Sequence, residues 1–328
     1  MQDENDSIVS APPNSTGTDS DHFFRDLEEE EEFLELLLEK IFLIVNCIGW
    51  VENVTAIVIL TLLYKKGFIS GLSHLMLSQQ AFFDAASCAL GILVSFHPLE
   101  WVSPGDFWNY LLCHAWVSRG IYNVFYSYSV YTHVLLSLDR YLAIKMSIQY
   151  ILIKAKFKFL LFLFYSFVLV YASPVFLKYF YDPIEHDCYD KIGFVDTYDY
   201  VTVIIGYVLP LLLLAYLNGS VVQKLRKQRK LVHIESAGPD AREVAGKALV
   251  KISVALGISF IICAAYANIF IVLSTAQLIS IPKRSHLGHL SILSINVNMT
   301  LNPILSLIFL PSLRKQIGAL CCNKLPNK

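Results

Sequence analysis

What this chain has least of is charge: 16% of its 328 residues are Asp, Glu, Lys or Arg and 55% are hydrophobic. An ordinary soluble domain carries roughly 25% charged residues. So much apolar surface cannot be hidden in one globular core, which excludes a soluble domain and makes a bilayer the natural solvent. Also missing are a glycine-rich phosphate loop, a His/Cys cluster at metal-ligand spacing and a Ser/His/Asp set that falls on one side, so an enzyme reading has no constellation to rest on. No internal repeat or pair of broken segments in corresponding halves is visible, which counts against a polytopic transporter, the alternative from another class. The N-terminus has no basic region followed by a short apolar core and a small-residue cleavage site. The first long apolar segment is therefore expected to direct insertion, and the tail to stay on the mature protein. Apart from one run of glutamates there is no low-complexity stretch, and no nucleic-acid partner is expected.

What is present is seven apolar segments, near 41–63, 73–97, 115–138, 158–178, 201–222, 248–275 and 287–310, each long enough to cross hydrocarbon as a helix of about 20 residues. The net charge of -1 averages a segregated distribution. Thirteen of the 27 acids precede residue 40, among them Glu28 to Glu32, beside Arg25 alone; this tail is expected to be disordered. Lys and Arg gather in alternate connectors: Lys65 and Lys66, then Arg140, Lys145, Lys154, Lys156 and Lys158, then the run from Lys224 to Lys230, then Arg314 and Lys315. The intervening connectors are acidic, with Glu100 and Asp106 in one and Asp182, Glu185, Asp187, Asp190, Asp196 and Asp199 in another. Basic residues are retained in the cytoplasm, so the expectation is a multi-pass plasma-membrane protein with its N-terminus extracellular and its C-terminus cytoplasmic. The longest basic connector contains Gly238-Pro239, which breaks any continuous helix across it.

Ionisable side chains inside a bilayer are costly and point first to function. Glu52, Asp84, Asp139 and Arg140 stand out, with Asp139-Arg140-Tyr141 closing the third segment. Asn53 in the first segment, Asp84 in the second, Pro210 in the fifth and Asn302-Pro303 in the seventh accompany that triplet. In this conjunction the chain resembles, over about residues 40–322, the rhodopsin-like (class A) G-protein-coupled receptors, as a divergent member. The resemblance implies an all-α membrane protein, a seven-transmembrane helix bundle with a short amphipathic eighth helix starting near Pro311-Ser312-Leu313-Arg314-Lys315. The domains would be an acidic extracellular tail over 1–38, the bundle over 39–311, and the amphipathic helix with a short cytoplasmic tail over 312–328.

The resemblance also assigns roles. Asp139, Arg140, Tyr141 and Ile148 would meet a heterotrimeric G protein. Asn53, Asp84, Ser129, Asn298 and Asn302 would line a polar pocket able to hold a sodium ion at Asp84, an oxygen donor set that suits a hard cation; a polar network without an ion is the alternative. Val130, Pro210 and Phe260, with Pro303, would form the packing switch between ligand and G protein. Cys321 and Cys322 would take palmitate. Of the seven cysteines only Cys113 and Cys188 fall in acidic connectors, where an oxidising space and the resemblance both point to a disulfide. Asn5 and Asn14 are glycosylation sequons in the tail, whereas Asn53, Asn218 and Asn298 fit the pattern only inside segments. His133, alone in the third segment, reads as a satisfied core histidine.

Several family residues are replaced. Ala264 stands for the usual tryptophan and Tyr266 for the usual proline of the sixth segment, Asn218 for a tyrosine of the fifth, and Ser306 for a tyrosine of the seventh. Without proline at 266 the sixth helix loses its usual hinge. The acid that often restrains the arginine is absent at Gly246, with Glu243 a turn earlier, which predicts a weakly locked resting state and raised basal signalling. The outer half of the third segment offers Arg119, Tyr122, Asn123 and Tyr126, with Asn296 opposite, as ligand-pocket candidates. Tyr122 replaces the amine-binding aspartate and Asn296 the retinal-binding lysine, which counts against amine and retinal ligands. Arg119 could grip a carboxylate or phosphate, or extend to the membrane surface. The acidic tail and loop favour a basic peptide drawn in electrostatically; a lipid-responsive receptor or a weakly signalling receptor-like protein are the other readings of this fold.

Overall fold

The computed structural model describes residues 18–67, 69–95, 106–183, 187–190, 194–232, 241–278 and 286–309. Asn5, Asn14, Cys321, Cys322 and the expected eighth helix lie outside the described residues, as do the side chains of Ile148 and Glu243.

Helix α1 runs from Thr18 to Lys65, 48 residues and about 70 Å at 1.5 Å per residue. The expected disordered tail is therefore corrected from Thr18 onward. No glycine or proline occurs between Thr18 and Gly49, and Glu and Leu are strong helix formers, so the membrane segment nucleates a helix that the tail extends. Repulsion within the glutamate run, a few tenths of a kcal/mol per pair, is too small to stop it.

Six further long helical segments follow: α2 (Gly71–Ser95), α4 (Gly120–Lys145), α5 (Ser147–Ala172), α6 and α7 (Phe194–Val203 and Leu209–Val232) joined by a π turn, α8 (Ala241–Thr275) and α9 (His286–Phe309). A short α3 (Asp106–Leu112) precedes a π turn at Cys113–Val117. The third membrane helix, expected from 115, instead begins at Gly120, because Arg119 takes a left-handed backbone at φ 53°. Ser118 holds this break: its hydroxyl donates to the His114 carbonyl and accepts from the Gly120 N–H at 3.0 Å. Cys113 thus sits on a separate ledge, bonded to Cys188 with the Cα atoms 5.8 Å apart. Cys188 belongs to β2 (Asp187–Asp190), which pairs antiparallel with β1 (Tyr179–Asp182), Tyr181 opposite Cys188.

Two prolines show how the bundle meets a solvent that supplies no hydrogen bonds. Pro303, inside α9, has no N–H to give the carbonyl four residues earlier. That carbonyl belongs to Met299, and Asn53 of α1 donates to it at 3.2 Å. Before Pro210 the chain loosens into the π turn Ile204–Val208, and the Ile205 carbonyl accepts from Tyr131 Oη at 2.9 Å.

The helices from α1, α2, α5, α6–α7 and α8 are long and apolar enough to cross a membrane. α4 is more polar, and the burial pattern explains it. α4 buries residues around its whole circumference, from Tyr122 through Ser129, Val130, Tyr131, His133 and Leu136 to Asp139, so it is the central post of the bundle and never meets lipid broadly. Phe159, Phe162 and Val170 of α5, Leu212 of α7 and Ile262 of α8 are exposed instead. An apolar belt of this kind suits hydrocarbon. The core beneath it packs Leu63, Met76, Leu77, Leu135, Phe157, Leu161, Ile252 and Leu256 into one cluster.

α1, α2 and α9 approach closely through small residues. A Cβ at Gly91 would collide with the Asn46 amide, whereas one at Gly219 would meet nothing within 4 Å. Gly91→Ala should therefore cost about 1–3 kcal/mol as an overpacked contact, read as a lowered melting temperature in detergent. Gly219→Ala should be neutral or slightly stabilising; equal melting of the two variants would refute the close approach.

Candidate functional site

On α4, Tyr122, Tyr126, Ser129, His133, Ser137 and Arg140 recur at three- and four-residue spacing and so share a face. The polar contacts of the bundle are strung along it. At the Cys113 end a cleft opens between α1, α2, α4 and α9, lined by Glu39, Phe42, Val94, Ser95, Arg119, His289 and Ile292. Glu35 of α1 lies 3.4 Å from His289 at its edge, a contact that becomes an ion pair when the histidine is protonated. Of the expected ligand-pocket residues, Arg119 lines this cleft. Tyr122 and Asn296 are buried and bonded to each other, the Tyr122 hydroxyl donating to Asn296 Oδ1 at 3.3 Å. Tyr126 packs against the buried cluster of Val130, Val134, Leu214, Phe260 and Ala264, and Asn123 is half-buried.

A carboxylate follows at mid-bundle. Asp84 is fully buried; its Oδ1 accepts from Ser129 at 2.5 Å, and its Oδ2 from Asn302 at 2.7 Å and Gln80 at 3.0 Å. α2, α4 and α9 are thereby tied to one charge. The expected group is brought together only in part. Asn53 spends its amide on the Gly49 and Met299 carbonyls, and Asn298 accepts from Ser259 of α8 at 3.0 Å. Gln80 was not foreseen, although a glutamine four residues before Asp84 lies on the same helix face. The acceptor oxygens Gln80 Oε1, Asn302 Oδ1 and Asn53 Oδ1 are buried and have no hydrogen-bond partner. Unsatisfied oxygens around a carboxylate fit a hard cation. Among the described residues no cluster of His, Cys, Asp and Glu could hold a metal ion of another kind.

Within the packing-switch set, Val130 and Phe260 share one buried cluster, the Tyr207 ring sits tilted against that of Phe260 with centroids 5.8 Å apart, and Pro210 is buried one turn before Leu214. His133 departs from its expectation: it is 2% exposed, and neither ring nitrogen has a partner. One Glu52 oxygen is likewise buried without a partner.

Below His133, Ser137 of α4, Ser253 of α8 and Asn218 of α7 join by bonds of 2.7 and 3.1 Å. At the far end, Arg140 pairs with Asp139 at 2.6 Å and donates to Ser73 of α2 at 2.6 Å. The second Asp139 oxygen accepts from Tyr150, early in α5, at 2.8 Å. Neither Ser73 nor Tyr150 was legible beforehand, since both are common residue types near segment ends. Tyr141 leans on Tyr216 with ring centroids 6.0 Å apart.

The arrangement is that of a membrane helix bundle with a cleft at one end, a buried ion pair at the other, and one helix joining them. The family model described as 7 transmembrane receptor (rhodopsin family) matches residues 52–305. The chain therefore belongs to the rhodopsin family of seven-transmembrane receptors. A search of curated proteins found no match.

Burial, the Asp139 carboxylate beside it and the hydrogen bond to that carboxylate push the Tyr150 phenol above its ordinary value. A phenol raised in this way stays a donor throughout the neutral range. Its contribution is complete below the ordinary phenol pKa of about 10 and is lost only as pH rises through the folded value. Tyr150→Phe should cost about 1.5–3 kcal/mol, the worth of a hydrogen bond to a charged group, with the melting deficit constant from neutral pH to pH 9.

Proposed function

We propose that this receptor binds an extracellular ligand at the Cys113 end and passes the signal to a heterotrimeric G protein at the Arg140 end, from the plasma membrane, with its N-terminus outside. The observation that carries this reading is the Asp139–Arg140 pair, 2.6 Å apart with Asp139 fully buried, at the foot of the helix whose head lines an open cleft. A buried pair of this kind costs desolvation that packing alone does not recover, so its worth lies in being broken. When α8 swings outward, Arg140 exchanges Asp139 and Ser73 for the G protein, with Tyr141 and Ile148 beside it. Val130, Pro210 and Phe260 transmit the movement, and Pro303 marks where α9 can bend.

The ligand we favour is a basic peptide. The acids of the N-terminal helix, with Glu35 and Glu39 next to the cleft, would raise its encounter rate, and Arg119 would take an acidic group of the ligand. Glycans at Asn5 and Asn14 and palmitate on Cys321 and Cys322 complete the proposed mature form. Peptide capture through these acids should weaken sharply between low and high salt; binding indifferent to salt would favour a lipid ligand.

Sodium is the proposed resting-state ion. Asp84, Ser129 and Asn302, with Gln80, would hold it; the ion would neutralise the carboxylate and satisfy the orphaned amide oxygens of Gln80 and Asn302. Asn53 and Asn298 would join only by turning from their present partners. In purified receptor, sodium chloride should raise the melting temperature more than choline chloride does, and Asp84→Asn should abolish the difference. Equal stabilisation by both salts would remove the ion from the scheme.

The coupling claim is tested in a reporter panel spanning the G-protein classes. Arg140→Ala should lower the signal at least tenfold at matched surface expression. Equal signal from both chains would overturn it.

A further inference from the structure

Ser137, Ser253 and Asn218 lie on three different helices near the Arg140 end, and the two serines are 1% and 2% exposed. Ser253 Oγ donates to Asn218 Oδ1 at 3.1 Å. Its single proton is thereby used, so in the 2.7 Å contact between the two hydroxyls Ser137 is the donor. The three form a chain from α4 through α8 to α7. Gly257, one turn along α8, makes room for it: a Cβ there would stand 3.2 Å from Asn218 Nδ2. The flanking residues Ile252 and Leu256 are at most 2% exposed, so no water reaches these hydroxyls from their own helix face. Separating α8 from α4 and α7 would break both hydrogen bonds together and leave their polar groups without these partners.

We propose that Ser137, Ser253 and Asn218 are a neutral latch that holds the Arg140 end of α8 against α4 and α7 in the resting receptor. The latch stands where two usual devices are missing: Gly246 carries no acid to hold Arg140, and Tyr266 supplies no proline hinge. The raised basal signalling expected from the missing acid is replaced by a resting state held through uncharged bonds, which ionic strength does not weaken. The latch also gives Asn218, at a position usually tyrosine, a role that tyrosine would not reproduce: a carbonyl acceptor for Ser253. This inference rests on α8 being the helix that moves, and its test reads the position of α8 without a G protein.

The experiment is pulsed electron-spin distance measurement between labels at Lys145→Cys and Lys251→Cys, both exposed positions. It uses the purified full chain with Cys47, Cys263, Cys321 and Cys322 replaced by alanine. Ser253→Ala removes both bonds and should raise the population at long distance about three- to tenfold, the shift expected from two modest interhelical hydrogen bonds in a membrane. Ser137→Ala and Asn218→Leu each remove one and should give smaller shifts, while Ser253→Thr keeps the hydroxyl and should match the unsubstituted chain. Should Ser253→Ala fold poorly, the two single-bond variants decide. Unchanged distances in the bond-removing variants would overturn the latch. So would Ser253→Thr displaced as far as Ser253→Ala, since packing rather than hydrogen bonding would then be at work. Displaced distances with no change in a parallel G-protein assay would leave the latch standing and count against coupling.

Discussion

Asp84 stands at a depth where hydrocarbon offers no donor, and its two oxygens collect three from the protein: Ser129, Asn302 and Gln80. Those donors come from three helices, so the need to solvate one carboxylate fixes α2, α4 and α9 in mutual register. The same constraint recurs at two prolines of the bundle. Asn53 covers the carbonyl that Pro303 leaves open, and Tyr131 covers Ile205 beside Pro210. Each repair is made by a different helix, so the satisfaction of backbone polarity and the assembly of the bundle are one process.

This accounts for the division between centre and rim. α5 and α8 expose phenylalanine, valine and isoleucine, whereas α4, buried all round, carries the polar face that links the cleft to the ion pair. α4 need not be apolar because protein, not lipid, surrounds it. Its polar levels differ in how completely they are satisfied. The Ser129 and Ser137 hydroxyls are hydrogen-bonded, while both His133 nitrogens between them, like the amide oxygens of Gln80 and Asn302 beside Ser129, are orphaned. A buried polar group without a partner costs about 1–3 kcal/mol, so His133 is an uncomfortable point on α4 between mid-bundle and Arg140, where the proposed movement has to pass.

Much of the fold could be read from the residues. Segment positions, the polar triplet at Asp139 and the pairing of Cys113 with Cys188 follow from length, charge and compartment, which are local properties. From Thr18 onward the tail misled because its composition suits disorder, while the lack of glycine and proline between Thr18 and the membrane helix suits continuation. The start of the third helix misled because hydropathy does not register a single left-handed residue such as Arg119.

The sequence by itself determined that seven segments cross a membrane and which ionisable groups enter it, because transfer free energy depends on residue type and run length alone. Only the tertiary structure decided whom each polar group meets. Asn53 faces a backbone carbonyl rather than Asp84, Asn298 faces Ser259, Gln80 joins the carboxylate, and Ser253 links Ser137 to Asn218. Hydrogen bonds reach about 3 Å, and the rotation of one helix against the next, which no single segment encodes, sets which atoms come within that reach.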